Sequence, residues 1–463
     1  MDLYVRCVLV LLAMAAVINS AMGAAPGGGS GRNAGGGGSD GGAQADGKRS
    51  VRVVRQGAGW ALLRNGERFE IRGVGGSQRL AELKEAGGNA IRTWSVDQAE
   101  PVLDEAHRLG IAVTVGLWVA HPRHGFDYND TAKVEAARAK HLADVRRLKG
   151  HPAILMWAIG NEVELGFDGD RTQMWREVNR IAEGVKQEDP TRPTMLVVAE
   201  VDARKINEIK SLCPAIDVLG INSYGRMDSA AMRARGLGWD GPVAMTEFGP
   251  RGWWEVEQTP WKTADGAKSE GVPIEPSSTD KADTYLARSL VGLKGNPAIL
   301  GSYAFLWGQK QECTHTWFGM FLPEGDKLGA VDAMSYVWTG RWPANRAPRL
   351  WDLVIQGKTD GLAPGEAMRA GVSAVDPDGD PLSITWEVRE ESSDRRSGGD
   401  AEAVPPTVPT TFDAKMDGPS RGVAGFVAPS KPGRYRLFVY VRDGKGNAAT
   451  GNVPFRVSGP GGK

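Results

Sequence analysis

Between residues 69 and 308 one pattern recurs eight times: a short, predominantly apolar run, followed by an amphipathic stretch or a loop. The runs are FEIRGVGG, NAIRTWSV, IAVTVGLWV, AILMWAIGNE, TMLVVAEV, IDVLGINSYG, PVAMTEFG and AILGSYAFLWG. Continuous rather than alternating hydrophobicity marks strands covered on both faces, as in a parallel sheet. The intervening stretches QRLAELKEAG, AEPVLDEAHRLG, VEAARAKHLADVRRL, WREVNRIAEGVKQ and ADTYLARSLVGLKG carry helical periodicity. Eight strand-helix units are the complement of a closed parallel barrel, whereas doubly wound open sheets more often stop at five or six strands. The prediction is an α/β fold, a (β/α)8 barrel over residues 49–344, opened by the hairpin-like segment VRVVRQGAGWALLRNGERF.

The flanks differ in character. Arg6 precedes the apolar run CVLVLLAMAAVI, and Ala21 and Gly23 stand where a signal peptidase cuts, so residues 1–23 read as a signal peptide of a secreted, extracellular or periplasmic, protein. That run is too short to cross a bilayer, so no membrane insertion is expected after cleavage. Residues 24–48 are Gly-rich with hardly any apolar side chain and read as a flexible tether. From residue 345 to 459 short alternating runs (MRAGVSAV, LSITWEV, VAGFVAP, YRLFVYVRD) indicate a small all-β sandwich, with the polar stretch ESSDRRSGGDAEAVPP as a mobile loop. Past the leader only Cys213 and Cys313 remain; the barrel reading puts them on opposite faces and hence unbridged. Lys plus Arg and Asp plus Glu both count 56, so no net field collects nucleic acid.

In such a barrel, chemistry sits where strands end and βα-loops begin. The fourth run ends in Asn161 and Glu162 and the seventh in Glu247, which puts two carboxylates at one mouth. Cleaving a glycosidic bond needs a proton for the leaving oxygen and a nucleophile or activated water at the anomeric carbon. Two carboxyls are the minimum equipment, retaining at a gap near ~5 Å and inverting at ~6.5 to 9.5 Å.

The stretch HPAILMWAIGNE, residues 151–162, and MTEFG around Glu247 resemble the catalytic barrel of glycoside hydrolase family 2, and more widely the retaining barrel glycosidases. The resemblance covers residues 69 to about 340. It implies Glu162 as acid/base, Glu247 as nucleophile, Asn161 on the hydroxyl beside the anomeric carbon, Arg92 and Tyr224 as donors keeping the nucleophile ionised, and Trp307 as the floor under the sugar. Physically, a guanidinium and a phenol beside Glu247 favour its charged form, while burial and the second carboxylate push Glu162 toward neutrality. The family normally places β-sandwich domains before the barrel, where this chain has a tether; hydrolysis, transglycosylation and a catalytically inactive carbohydrate-binding or adhesion role therefore stay open.

Further candidates surround these. Glu164 competes with Glu162, since residues two apart on an extended chain face the same way. Glu200 and Asp202 follow strand five; His121 and His124 follow strand three, His121 being the preferred substrate contact. Trp253, Trp254, Trp261 and Trp317 are expected either to form sugar subsites or to fill space under the loops. No His or Cys cluster has metal-ligand spacing, so neither cofactor nor metal is expected, and the expected partner is a β-linked carbohydrate. AVDPDGDPLSITWEV, with YRLFVYVRDGKGN, resembles immunoglobulin-like repeats of the polycystic-kidney-disease and cadherin type, which implies a spacer or a contact with a cell wall or polysaccharide. Asp376, Asp378 and Asp380 read as turn residues in preference to calcium ligands.

Overall fold

A computed structural model describes residues 50–459, apart from 264, 265, 267 and 397. The expected leader and Gly-rich tether lie outside the described residues. The chain opens with a hairpin, β1 (Val51–Gln56) and β2 (Gly59–Arg64), continued by β3 (Glu67–Arg68). Then follow β4 (Ile71–Gly75), β5 (Ala90–Arg92), β6 (Ala112–Leu117), β7 (Ile154–Ile159), β8 (Thr194–Ala199), β9 (Val218–Asn222), β10 (Val243–Phe248) and β11 (Gly301–Ala304). These eight close into a parallel barrel in chain order, β11 pairing back onto β4. Every one lies within an apolar run of the sequence.

The helices are α1 (Leu80–Glu85), α2 (Ala99–Leu109), α3 (Thr131–Leu148), α4 (Thr172–Glu188), α5 (Ala203–Leu212), α6 (Ala230–Gly236), α7 (Ser278–Arg288) and α8 (Gly329–Thr339); the first seven bury one stripe each, and α8 is buried on nearly every side. Local chemistry sets their ends. Ser277 and Asp280 form a reciprocal capping box at the start of α7, and Gly110, at φ 71°, ends α2. The hairpin plugs the N-terminal end of the barrel, where Val51 and Leu62 pack with Ile71, Ala90, Ala112 and Val218, residues at the starts of strands. A plug there leaves the opposite mouth free for a site. Cys213 ends α5, Cys313 lies in the loop after β11, and both are buried and free. Burial pushes each thiol up to about 12.

Beyond α8 come β13 (Arg349–Ile355), β14 (Ala367–Val375), β15 (Ser383–Glu390), β16 (Thr407–Val408), β17 (Asp413–Met416), β18 (Arg421–Val427), β19 (Gly433–Arg442) and β20 (Asn447–Val457). They form two sheets, ordered β13-β14-β18-β17 and β20-β19-β15-β16, the second extended by β12 (Lys327–Leu328) from before α8. Ile355, Met368 and Phe426 of one sheet meet Val388, Leu437 and Phe455 of the other in a common apolar cluster.

Buried polar groups join these strands to the barrel. Arg436, 1% exposed, donates to Glu391 through Nε at 2.6 Å and Nη2 at 3.0 Å, to Asn452 at 2.8 Å and to the Pro273 carbonyl at 2.7 Å. Glu275 in turn accepts from Lys281, Thr314, Thr316 and Asn452. Removing one member of a buried pair strands the other. Arg436→Met is therefore expected to lower the unfolding free energy by about 3 to 5 kcal/mol in urea denaturation; an unchanged midpoint would show that the network carries no net stability.

Candidate active site

The carboxylates reach the open mouth by different routes. After β7 the backbone turns at Gly160, φ 72°, where a Cβ would stand 2.4 Å from Val163 Cγ2, so only glycine fits. Glu162 also adopts a left-handed conformation, φ 50°, which costs a non-glycine residue about 1 to 2 kcal/mol. Its N–H donates to the Val197 carbonyl of the next strand at 2.9 Å, and this bond holds the turn. Glu247 needs no turn: it lies within β10, in register with Asn222 of β9. Both carboxylates line one cavity of about 680 Å³.

Their surroundings differ in sign. Glu247 Oε1 accepts from Arg92 Nη1 at 2.9 Å and Trp94 Nε1 at 2.9 Å, and Oε2 accepts from the Tyr224 hydroxyl at 2.8 Å. Burial first, and the Glu247 charge next, keep the Tyr224 phenol protonated and so a donor. Glu162 Oε1 receives only a neutral amide, Asn222 Nδ2, at 2.8 Å. Desolvation, followed by the Glu247 charge, raises Glu162 to about 8. The same Asn222 amide reaches Asn161 Oδ1 at 3.2 Å, and Arg92 Nη2 donates to that oxygen at 2.5 Å. One continuous chain of hydrogen bonds thus links the two carboxylates through Asn222, Asn161 and Arg92. The arrangement keeps a proton on one carboxyl and three donors on the other, which is what concerted acid and nucleophile chemistry requires.

Arg92, Asn161, Glu162, Tyr224 and Glu247 therefore come together, and two of the expected residues do not. Trp307 is 1% exposed and away from the cavity: its backbone N–H donates to the Gly75 carbonyl, its indole to the Arg79 carbonyl at 3.2 Å, and its ring packs edge-on to Phe321. Phe305 and Leu306 line the cavity instead. His121, also 1% exposed, sits behind Trp118, stacked at 4.9 Å; burial, with the Arg123 charge second, lowers it to about 4 and leaves it neutral. It supports a lining aromatic rather than lining the cavity itself.

The remaining candidates separate by partner. Glu164 is buried against Lys205 Nζ at 2.7 Å and accepts the Ala199 N–H, a structural pair away from the cavity. Glu200 lines the cavity, paired with Arg233 at 2.5 Å, whereas Asp202 caps α5. Trp253 and Trp254 are cavity residues; Trp261 and Trp317 are buried fillers, 2% and 0% exposed. Trp94 and Trp118 also line the cavity and were not among the expected residues. Trp94 lies two residues after Arg92, past the end of β5, and donates to the same Glu247 oxygen.

No metal-type cluster lines this cavity among the described residues. Asp376, Asp380 and Asp443 gather elsewhere, with oxygens within 4.8 Å of one another. Asp376 Oδ1 accepts the N–H groups of Asp378 and Asp380, and Lys445 Nζ pairs with Asp380 at 2.5 Å, contacts that fit the turn reading.

Residues 77–238 match the Glycosyl hydrolases family 2, TIM barrel domain. The matched segment holds Arg92, Asn161, Glu162 and Tyr224 and stops short of Glu247, whose place follows from barrel closure. Among curated proteins, a beta-glucuronidase of Paenibacillus borealis is 29% identical over 242 residues, 44% of this chain and 38% of the relative. A beta-glucuronidase of Chlorocebus aethiops is 30% identical over 145 residues, 31% of this chain and 20% of the relative. The chain thus spans well under half the length of these relatives. A solved structure of a calcium-binding mutant of Bacteroides uniformis beta-glucuronidase 2 aligns at TM-score 0.48 and 15% identity, over 88% of this chain and 48% of that one.

Proposed function

We propose that this chain is a retaining β-glycoside hydrolase of family 2 type, with Glu162 as general acid/base and Glu247 as nucleophile. The observation that carries the reading is the split environment of the pair: three donors on Glu247, and on Glu162 one neutral amide together with burial that keeps its proton. In the first step Glu247 attacks the anomeric carbon while Glu162 protonates the departing glycosidic oxygen. The bond to the aglycone breaks as the glycosyl ester forms. In the second step Glu162, now charged, takes a proton from water as that water displaces Glu247, and the product keeps the β configuration. Asn161, fixed by Arg92 and Asn222, stands beside Glu162 to hold a substrate hydroxyl.

The same reading extends to the rest of the chain. The β13–β20 strands are taken as an immunoglobulin-like sandwich, a module distinct from the barrel, and the leader-like composition of residues 1–23 supports a secreted, extracellular or periplasmic, protein. The substrate is a β-linked oligo- or polysaccharide, with Trp94, Trp118, Trp253 and Trp254 as apolar faces for sugar rings.

Charge bears on which sugar. Glu200, Glu247, Glu255 and Glu312 line the cavity beside the protonated Glu162, and the lining cation Lys310 is already held by Glu312 at 2.8 Å and the Gly399 carbonyl at 2.8 Å. A uronic carboxylate would enter a field of its own sign. The test is a panel of aryl β-glycosides and β-glucans, mannans and galactans, with product anomers followed by proton NMR. The β anomer is expected first, and neutral glycosides are expected to exceed the corresponding β-glucuronide in kcat/KM by about tenfold or more, a difference of ~1.4 kcal/mol. Initial release of the α anomer rejects retention, a preference for the glucuronide rejects the charge argument, and new glycosidic linkages in place of reducing sugar mark transglycosylation.

A further inference from the structure

Gly398 and Gly399, in the long connection from β15 to β16, border the same cavity as Glu162 and Glu247. Polar composition predicts a mobile loop in this stretch, yet its side chains are tied to two loops of the barrel mouth at once. Asp400 accepts from Arg123 Nη2 at 3.0 Å and bonds His124 Nε2 at 3.0 Å, both residues following β6. From the loop after β11, Lys310 Nζ donates to the Gly399 carbonyl at 2.8 Å, and the Cys313 N–H donates to Glu402 at 2.7 Å.

The fit is close. Both glycines take left-handed φ, 65° and 75°, and a Cβ on Gly398 would stand 2.2 Å from the Arg123 guanidinium and 2.7 Å from Leu165. The Arg123 side chain is 10% exposed and that of Asp400 27%, so the pair is more shielded than an ordinary surface bridge. Burial opposes the Asp400 charge; the His124 bond and the Arg123 charge more than offset it and hold the carboxyl below its ordinary range.

We propose that this glycine segment is a substrate-binding wall supplied from the C-terminal strands, and that Asp400 and Arg123 are positioning residues that fix it and so set which β-linked oligosaccharides the cavity holds. The proposal rests on reading the cavity as a glycoside site. Without side chains the two glycines offer a flat peptide surface to a ligand rich in hydroxyls. Loosening the bridge is expected to act on chains long enough to reach the wall more than on a single sugar at the carboxylates.

The experiment titrates the full chain with hexasaccharides of β-1,4-glucan, β-1,3-glucan, β-1,4-mannan and β-1,4-galactan, following tryptophan fluorescence, and measures kcat and KM on the bound ones beside an aryl monoglycoside. Asp400→Ala and Arg123→Ala are each expected to weaken hexasaccharide binding about fivefold or more, and the double variant no further than Asp400→Ala, which already removes the bonds to both Arg123 and His124. The hexasaccharide KM rises more than the aryl glycoside KM, while kcat changes less. Asp400→Asn, of the same size, guards against a folding defect and is expected to fall between wild type and Asp400→Ala.

Wild type that binds and cleaves, with all variants within twofold of it on every hexasaccharide, overturns the wall and leaves the hydrolase reading intact. Binding that the variants weaken, in a protein that cleaves nothing, upholds the wall and overturns the hydrolase. A wild type that neither binds nor cleaves any member overturns both.

Discussion

Glu247→Gln is expected to lower kcat/KM for an aryl β-glycoside by about 10⁴-fold or more, equivalent to ~5.4 kcal/mol of transition-state stabilisation. The amide has nearly the shape of the carboxylate but carries no charge to attack the anomeric carbon. It also presents an NH2 group to a cradle built to donate: Arg92 Nη1 and Trp94 Nε1 both point at Oε1, and the Tyr224 hydroxyl points at Oε2. With the NH2 in the place of Oε1 two donors face it, with the NH2 in the place of Oε2 the Tyr224 hydroxyl must turn to accept, and in both cases Arg92, 1% exposed, loses its anionic partner. Glu247→Asp separates charge from reach. It keeps the carboxylate and withdraws it by roughly one carbon–carbon bond, ~1.5 Å, a displacement expected to cost about 10²-fold or more. Circular dichroism of each variant checks the fold, and steady-state kinetics gives the rates. A Gln variant retaining more than about 1% of wild-type kcat/KM would remove Glu247 from the nucleophile's role.

The barrel was legible because each strand is a run buried on both faces, and its ends could be read from the same runs. Asn161, Glu162 and Glu247 were therefore placed at one mouth without any knowledge of the loops. What failed were choices among neighbours. Phe305, Leu306 and Trp307 follow β11 consecutively, and once the chain leaves the sheet at Ala304 strand alternation no longer says which of them faces the cavity. Trp307 is drawn away by the Gly75 and Arg79 carbonyls, partners remote in sequence. His121 reads from sequence as a polar loop residue, and only the stacking against Trp118 removes it from the cavity lining. Trp94 lies past the end of β5, as Phe305, Leu306 and Trp307 lie past the end of β11, and only its bond to Glu247 marks it. Gly398 and Gly399 were not legible, since a polar, glycine-containing stretch announces solvation and its docking depends on Arg123 and Lys310 from distant loops.

Glu162→Ala is expected to divide substrates by their leaving groups. An alkyl β-glycoside or a disaccharide needs its departing oxygen protonated, so its kcat/KM should fall by about 10² to 10⁴-fold. A dinitrophenyl β-glycoside leaves without help, so its first step should survive. The glycosyl ester on Glu247 then accumulates, because no base remains to activate water. Azide needs no base and fits the space vacated by the side chain, so added azide should accelerate turnover of the dinitrophenyl substrate and release a β-glycosyl azide, with the β configuration reporting two displacements. The pH profile supplies an independent reading. Burial and the Glu247 charge raise Glu162 to about 8, so the protonated acid is the dominant form at neutral pH and is lost as pH rises through that value. Wild-type kcat/KM is thus expected to decline on the alkaline side of about 8, and Glu162→Ala acting on the dinitrophenyl substrate should lack that limb. Neither azide adduct nor altered alkaline limb, in a variant whose parent is active, would mean that Glu162 does not hold the proton delivered to the leaving oxygen.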